Sequence, residues 1–138
     1  MKNSLAAAAL FAGILTTGPA MALTPGLYEY VINMNMPGMP AGAGNKTIQR
    51  CMTASDVEGN KAIEIPPMPD SDCKINNEVV TSSQFSYRIA CTTPQKLDGD
   101  VKGTMTATSL TMNMTMRTPE LPGAITQSIA AHRIGDCK

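Results

Sequence analysis

Thioether sulfur is the most concentrated chemistry in this chain. Met34, Met36 and Met39 form one cluster and Met105, Met112, Met114 and Met116 another, among 11 methionines in all. Two or three converging thioethers hold Cu(I) outside the cytoplasm without any deprotonation. Met-x-Met on a strand puts both sulfurs on one face, about 7 Å apart by the strand rise. These methionines also alternate with Asn, Thr and Arg as core residues do, and Met fills irregular gaps in a core that has no Trp. Core packing is therefore the first reading, Cu(I) handling the alternative, and a flexible Met-lined pocket for an apolar ligand a third. No metal site and no cofactor is expected from the leading reading.

The second reactive set is Cys51, Cys73, Cys91 and Cys137. An even count in an exported chain is most simply two disulfides. Zinc would need paired Cys or His at short spacing, but there is no C-x-x-C and His132 is the only histidine. His132 has no phased carboxylate or nucleophile to work with, Ser82-Ser83 forms no nucleophile elbow, and Asp98 and Asp100 flank a glycine as turn residues do. No catalytic residue is assigned, and the expectation is a protein that is not an enzyme.

Strands must position these groups. Tyr28, Tyr30, Ile32, Met34 and Met36 share one face of a strand that ends at Pro37-Gly38, and Lys46 to Met52 is a weaker second strand. Thr53-Ala54-Ser55-Asp56 reads as a helix N-terminus, with a short helix near 54–61 cut off by Gly59 and Pro66-Pro67. The segment from Cys73 to Cys91 predicts a hairpin looping at Thr81-Ser82-Ser83. Its pairs are Val79 with Phe85, Asn77 with Tyr87, Ile75 with Ile89 and Cys73 with Cys91. That register places Cys73 opposite Cys91 and leaves Cys51 to join Cys137, at the end of the chain. A second hairpin from Val101 to Met116, turning near Thr108-Ser109, sets Met105 against Met112 and Val101 against Met116. Ala124 to Ile134 alternates poorly and reads as an edge or closing strand. Seven strands with mostly short turns predict an all-β antiparallel meander, curled into a half-barrel or closed into a calycin-like barrel.

The N-terminus predicts export. Lys2, an apolar run from Leu5 to Leu15 and Ala20-Met21-Ala22 have the order of a cleaved signal peptide over 1–22, leaving one domain over 23–138. The 11 basic and 11 acidic side chains balance without a block of either sign. Nucleic acid and anionic membrane surfaces, both bound through concentrated Lys and Arg, are therefore poor partners. No later segment is apolar enough for a membrane span.

Four landmarks then carry a resemblance: Pro25-Gly26-Leu27-Tyr28-Glu29, Gln49-Arg50-Cys51-Met52-Thr53, Asp72-Cys73-Lys74 and Arg133-Ile134-Gly135-Asp136-Cys137. In order and spacing the chain resembles the DUF3617 family of small bacterial envelope proteins. Tyr28 stands where that family usually has Trp, Met52 where it has Leu, and Ala131-His132 where it has Gly-Arg. The resemblance implies an envelope location and no activity. Together these readings give a disulfide-stapled periplasmic protein, non-enzymatic, that uses the apolar face of its sheet for a small apolar ligand or an envelope partner.

Overall fold

The structure, a computed structural model, describes residues 23–64 and 70–138. The signal-peptide expectation over 1–22 and the Pro66-Pro67 helix stop lie outside the described residues. Seven strands form one antiparallel sheet: β1 (Gly26–Asn35), β2 (Lys46–Met52), β3 (Asp72–Val80), β4 (Gln84–Thr93), β5 (Leu97–Met105), β6 (Ser109–Arg117) and β7 (Ile125–Gly135). One helix, α1 (Ala54–Glu58), follows β2. The strand order is β2-β1-β7-β6-β5-β4-β3, so β2 and β3 are the two ends and the sheet does not close.

The β1–β2 loop makes two successive turns in which Met39 N–H donates to the Met36 carbonyl and Ala43 N–H to that of Pro40. In both, glycine occupies the third position with positive φ, 86° at Gly38 and 82° at Gly42, as a type II turn demands. The β3–β4 and β5–β6 hairpins are held differently. Among the described non-glycine residues only Asn60, Asp70 and Asn77 have positive φ, so neither tight turn uses a left-handed residue. Threonine hydroxyls do the holding: Thr81 Oγ1 accepts from Gln84 N–H at 3.0 Å, and Thr106 Oγ1 from Ser109 N–H at 3.1 Å.

Those threonines correct both expected registers. In β3–β4 the pairs Cys73–Cys91 and Ile75–Ile89 form, but the loop shortens to Ser82-Ser83 and sets Val80, not Val79, opposite Phe85. The extra residue is absorbed by a bulge between Asn76 and Val79, with Asn77 left-handed at φ 53°. Asn77 and Glu78 together stand opposite Tyr87 outside the regular ladder, and Val79 turns outward, 58% exposed. In β5–β6 the turn comes one residue early, at Ala107-Thr108, and so shifts the partners by two, pairing Met105 with Leu110, Gly103 with Met112, Val101 with Met114 and Gly99 with Met116. A shift of two keeps every side chain on its expected face. It also places large residues opposite glycines, so the methionines have room to lie flat.

β7 is not an edge strand. It pairs with β1 on one side and β6 on the other over most of its length. Its alternation is blurred because Gln127 and Arg133 share the inward phase with Ile125, Ile129 and Ala131, while Ala130 and Ile134 point outward. α1 is shorter than expected, ending at Glu58. Thr53 caps it: Asp56 N–H donates to Thr53 Oγ1, and the Asp56 carboxylate accepts from Thr53 N–H at 2.9 Å. These hydrogen bonds from Thr53 hold the Asp56 carboxyl below its ordinary value.

The residues of the β2–β3 crossover after α1, as far as Glu64, lie over the inward face. Val57 and Ile63 are buried there among Tyr28, Val101, Leu110 and Met112. Tyr87 Oη donates to the Ile63 carbonyl at 2.8 Å, anchoring the crossover on β4. The face is thus partly filled by the protein's own chain. A smaller cluster of Ile89, Cys91 and Leu97 packs against the bridge at Cys73.

Candidate functional site

Cross-strand ladders decide what the inward face offers. One row reads Ile48, Tyr30, Ala131, Leu110, Met105; the next reads Ile32, Ile129, Met112, Gly103, Phe85; a third reads Met34, Gln127, Met114, Val101. The crossover covers part of this surface and leaves a recess of about 250 Å³ beside it. Met112 and Met114 form its floor from β6, Ile129 and Gln127 come from β7, Tyr30 and Ile32 from β1, and Ile48 and Arg50 from β2. Ala62 and Glu64 of the crossover complete the wall.

The walls are apolar and the rim is not. Ile32, Ile48, Ala62 and Ile129 are half-buried and packed on the core, so each keeps apolar surface for something else. Burial raises the pKa of the Tyr30 phenol, and the Arg50 guanidinium nearby partly offsets this. Tyr28, one pleat period away, is fully buried and donates to the Thr24 carbonyl at 2.7 Å. Its pKa is raised by the same burial, with Arg133 pulling the other way. Arg133 in turn donates from Nε to the Pro25 carbonyl and pairs with Asp136, which ties the C-terminal end of β7 to the entry of β1.

Three wider depressions of 430 to 460 Å³ share Asn113 of the outer, polar face, and one of them is also lined by Met34, Met114 and Gln127 of the inward phase. Polar and charged side chains make up much of their lining, among them Thr104, Lys102, Asn113 and Arg117. The smaller recess is the better site because covering apolar walls releases water, the dominant favourable term in association.

The methionine clusters separate. Met105, Met112 and Met114 are buried in the main core, Met116 packs against it, and Met39 is exposed in the β1–β2 loop. Met34 and Met114 share a ladder but have Gln127 between them, two strand spacings apart. That is the arrangement of gap-filling core residues. Met112→Leu should accordingly cost less than about 1.5 kcal/mol, as volume-conserving swaps do, measured by urea denaturation; a loss above 3 kcal/mol would show that the sulfur has a role packing does not explain. His132 points outward, with Nε2 3.8 Å from Glu29 Oε1, and the other oxygen of that carboxylate accepts from Gln49 Nε2 at 3.5 Å.

The cysteines form two bridges. Cys73 is bonded to Cys91, with Cα atoms 4.0 Å apart on adjacent strands. Cys51 is bonded to Cys137, with Cα atoms 5.4 Å apart, fastening the edge strand β2 to the end of the chain. Two disulfides suit an oxidising compartment, and no described helix is long and apolar enough to cross a membrane. Arg50 and Glu64 are the rim residues that sequence reasoning did not single out. Arg50 had a signal, since it shares the phase of Ile48 and Met52; Glu64 had none, because only the crossover brings it to the sheet.

The fold and site define a small, disulfide-bonded, open antiparallel sheet whose apolar face is partly filled by its own β2–β3 connection. The chain belongs to the DUF3617 family, described as proteins of unknown function, whose profile matches residues 23–137. No curated protein and no solved structure matches the chain significantly.

Proposed function

We propose that this protein is a non-enzymatic binding module of the bacterial periplasm that holds a small apolar ligand in the recess between the sheet and the crossover. The observation that carries the reading is the recess itself, with apolar walls from four strands and a floor of Met112 and Met114. Its volume falls below the roughly 300 to 1,000 Å³ of sites for drug-sized ligands, which favours one slender chain over a fused-ring molecule or a folded partner. Methionine suits this role because its unbranched side chain repacks around varied shapes. Export is supported by the two disulfides and by the order of residues 1–22.

Methyl NMR with labelled methionine and decanol as the probe tests the reading. Saturable shifts confined to the Met112 and Met114 methyls are expected, and Ile129→Phe, which fills the recess from β7, should abolish them. Shifts spread over Met39 and the outer face, or none at all, would sink it.

A further inference from the structure

We propose that the recess takes a single-chain amphiphile with an anionic head, the tail lying against Met112 and Met114 and the head held at Arg50; this rests on the recess being a binding site. Arg50 occupies the inward phase of β2, opposite Tyr28 and between Ile48 and Met52. An arginine on the apolar face of an edge strand lays its stem along that surface and brings its guanidinium to the mouth.

Of the other three arginines, two are engaged, and Arg117, which forms no ion pair among the described residues, lies on the outer face away from the recess. Arg88 pairs with Asp100, and Arg133 with Asp136 and the Pro25 carbonyl. Arg50 makes no hydrogen bond and no ion pair among the described residues. Its fork of donors is preorganised for a carboxylate or phosphate, which it can hold with two parallel bonds. The Tyr30 hydroxyl, close enough to feel the Arg50 charge, adds a donor on the same side.

The acidic groups at the mouth do not take this role from a ligand. Asp56, near enough for Arg50 to lower its pKa, spends its carboxylate on the Thr53 cap. Glu64 stands on the crossover and forms no ion pair with Arg50. A carboxylate on Glu64 disfavours a second anion, so its removal should help an anionic head and hurt a cationic one. Behind Arg50 the lining changes to Ile32, Ile129, Met112 and Met114, with the neutral Gln127 amide beyond them, so the recess is charged at one end and mostly apolar along its length. That gradient matches a fatty acid or a singly acylated phosphate and mismatches a purely apolar molecule.

Titration calorimetry with decanoate, decanol and decyltrimethylammonium, on the wild type and on Arg50→Gln and Glu64→Gln, decides the matter. Decanoate should bind about tenfold or more tighter than decanol, the scale of one hydrogen bond to a charged group. Arg50→Gln should remove that advantage while leaving decanol within about twofold, and Glu64→Gln should tighten decanoate. Decyl phosphate against decanoate then separates the two head groups. Equal affinity for decanoate and decanol, unmoved by Arg50→Gln, would overturn the head-group assignment and leave the recess standing. A preference for decyltrimethylammonium lost in Glu64→Gln would overturn it as well. Failure of all three probes to bind would overturn the recess and this inference together.

Discussion

Replacing Cys51 and Cys137 together by serine is expected to lower stability by about 4 to 5 kcal/mol, against roughly 3 kcal/mol for the Cys73/Cys91 pair. The difference follows from loop length, since one bridge spans 86 residues and the other 18. The chain-entropy cost rises with the logarithm of that span. The structure gives a second reason for the order. β2 is an edge strand paired only with β1, and most of its residues are exposed. Without the bridge, its packing rests on Met52 and Ile48, and α1 behind it loses its anchor. Cys73 and Cys91, by contrast, sit directly opposite within a hairpin that keeps its ladder. Urea denaturation of both double variants gives the comparison, and non-reducing peptide mapping establishes the pairing. A smaller loss for the long bridge, or a dominant Cys51–Cys73 peptide, would refute the account.

Gly103→Ala is the second large effect, a loss of about 3 kcal/mol, the upper end of what overpacking costs. Gly103 lies inward on β5 between Phe85 of β4 and Met112 of β6. A methyl group there would fall well inside van der Waals distance of the Phe85 ring and of the Thr111 carbonyl oxygen. The ring could turn aside, but the carbonyl belongs to the β5–β6 ladder and can yield only if the strands part. The Phe85→Ala background separates the two clashes. Part of the cost of Gly103→Ala should vanish there, and the remainder is the backbone's share. Gly99→Ala, with contacts near 3.0 Å to Met116 and 3.1 Å to Ile89 side chains, should cost less because both can shift. Equal losses at the two glycines would mean the ladder does not hold Gly103 as tightly as its surroundings indicate.

The register errors and the missed rim residues have separate physical origins. Alternation places a side chain on a face, and it did so correctly through β1, β4, β6 and β5 from Val101 onward, whereas Asp98-Gly99-Asp100, expected as a turn, is paired on both sides within β5. It says little about which residue of the next strand lies opposite, because any shift of two preserves the pattern. That choice fell to Thr81 and Thr106, whose hydroxyls hold tight turns without glycine or asparagine, and to the bulge at Asn77. β7 was misread for another reason. Its Gln127 faces the recess and its Arg133 bonds the Pro25 carbonyl, so two polar residues occupy inward positions for tertiary purposes.

From the chain alone come the all-β class, seven strands, the capped helix after β2 and the inward phase of the methionines. All are local matters of period, turn chemistry and capping. Three things depended on the tertiary structure. The sheet stays open because β7 inserts between β1 and β6, leaving β2 and β3 at opposite ends. The apolar face is partly covered because α1 and the residues after it, as far as Glu64, lie against it and bury Val57 and Ile63. The recess lies where Ala62 and Glu64 stand over the ladders of β1, β2, β6 and β7. Periodicity records which way each residue points; how far a connection must reach, and what it covers in reaching, is set only when strands far apart in sequence become neighbours.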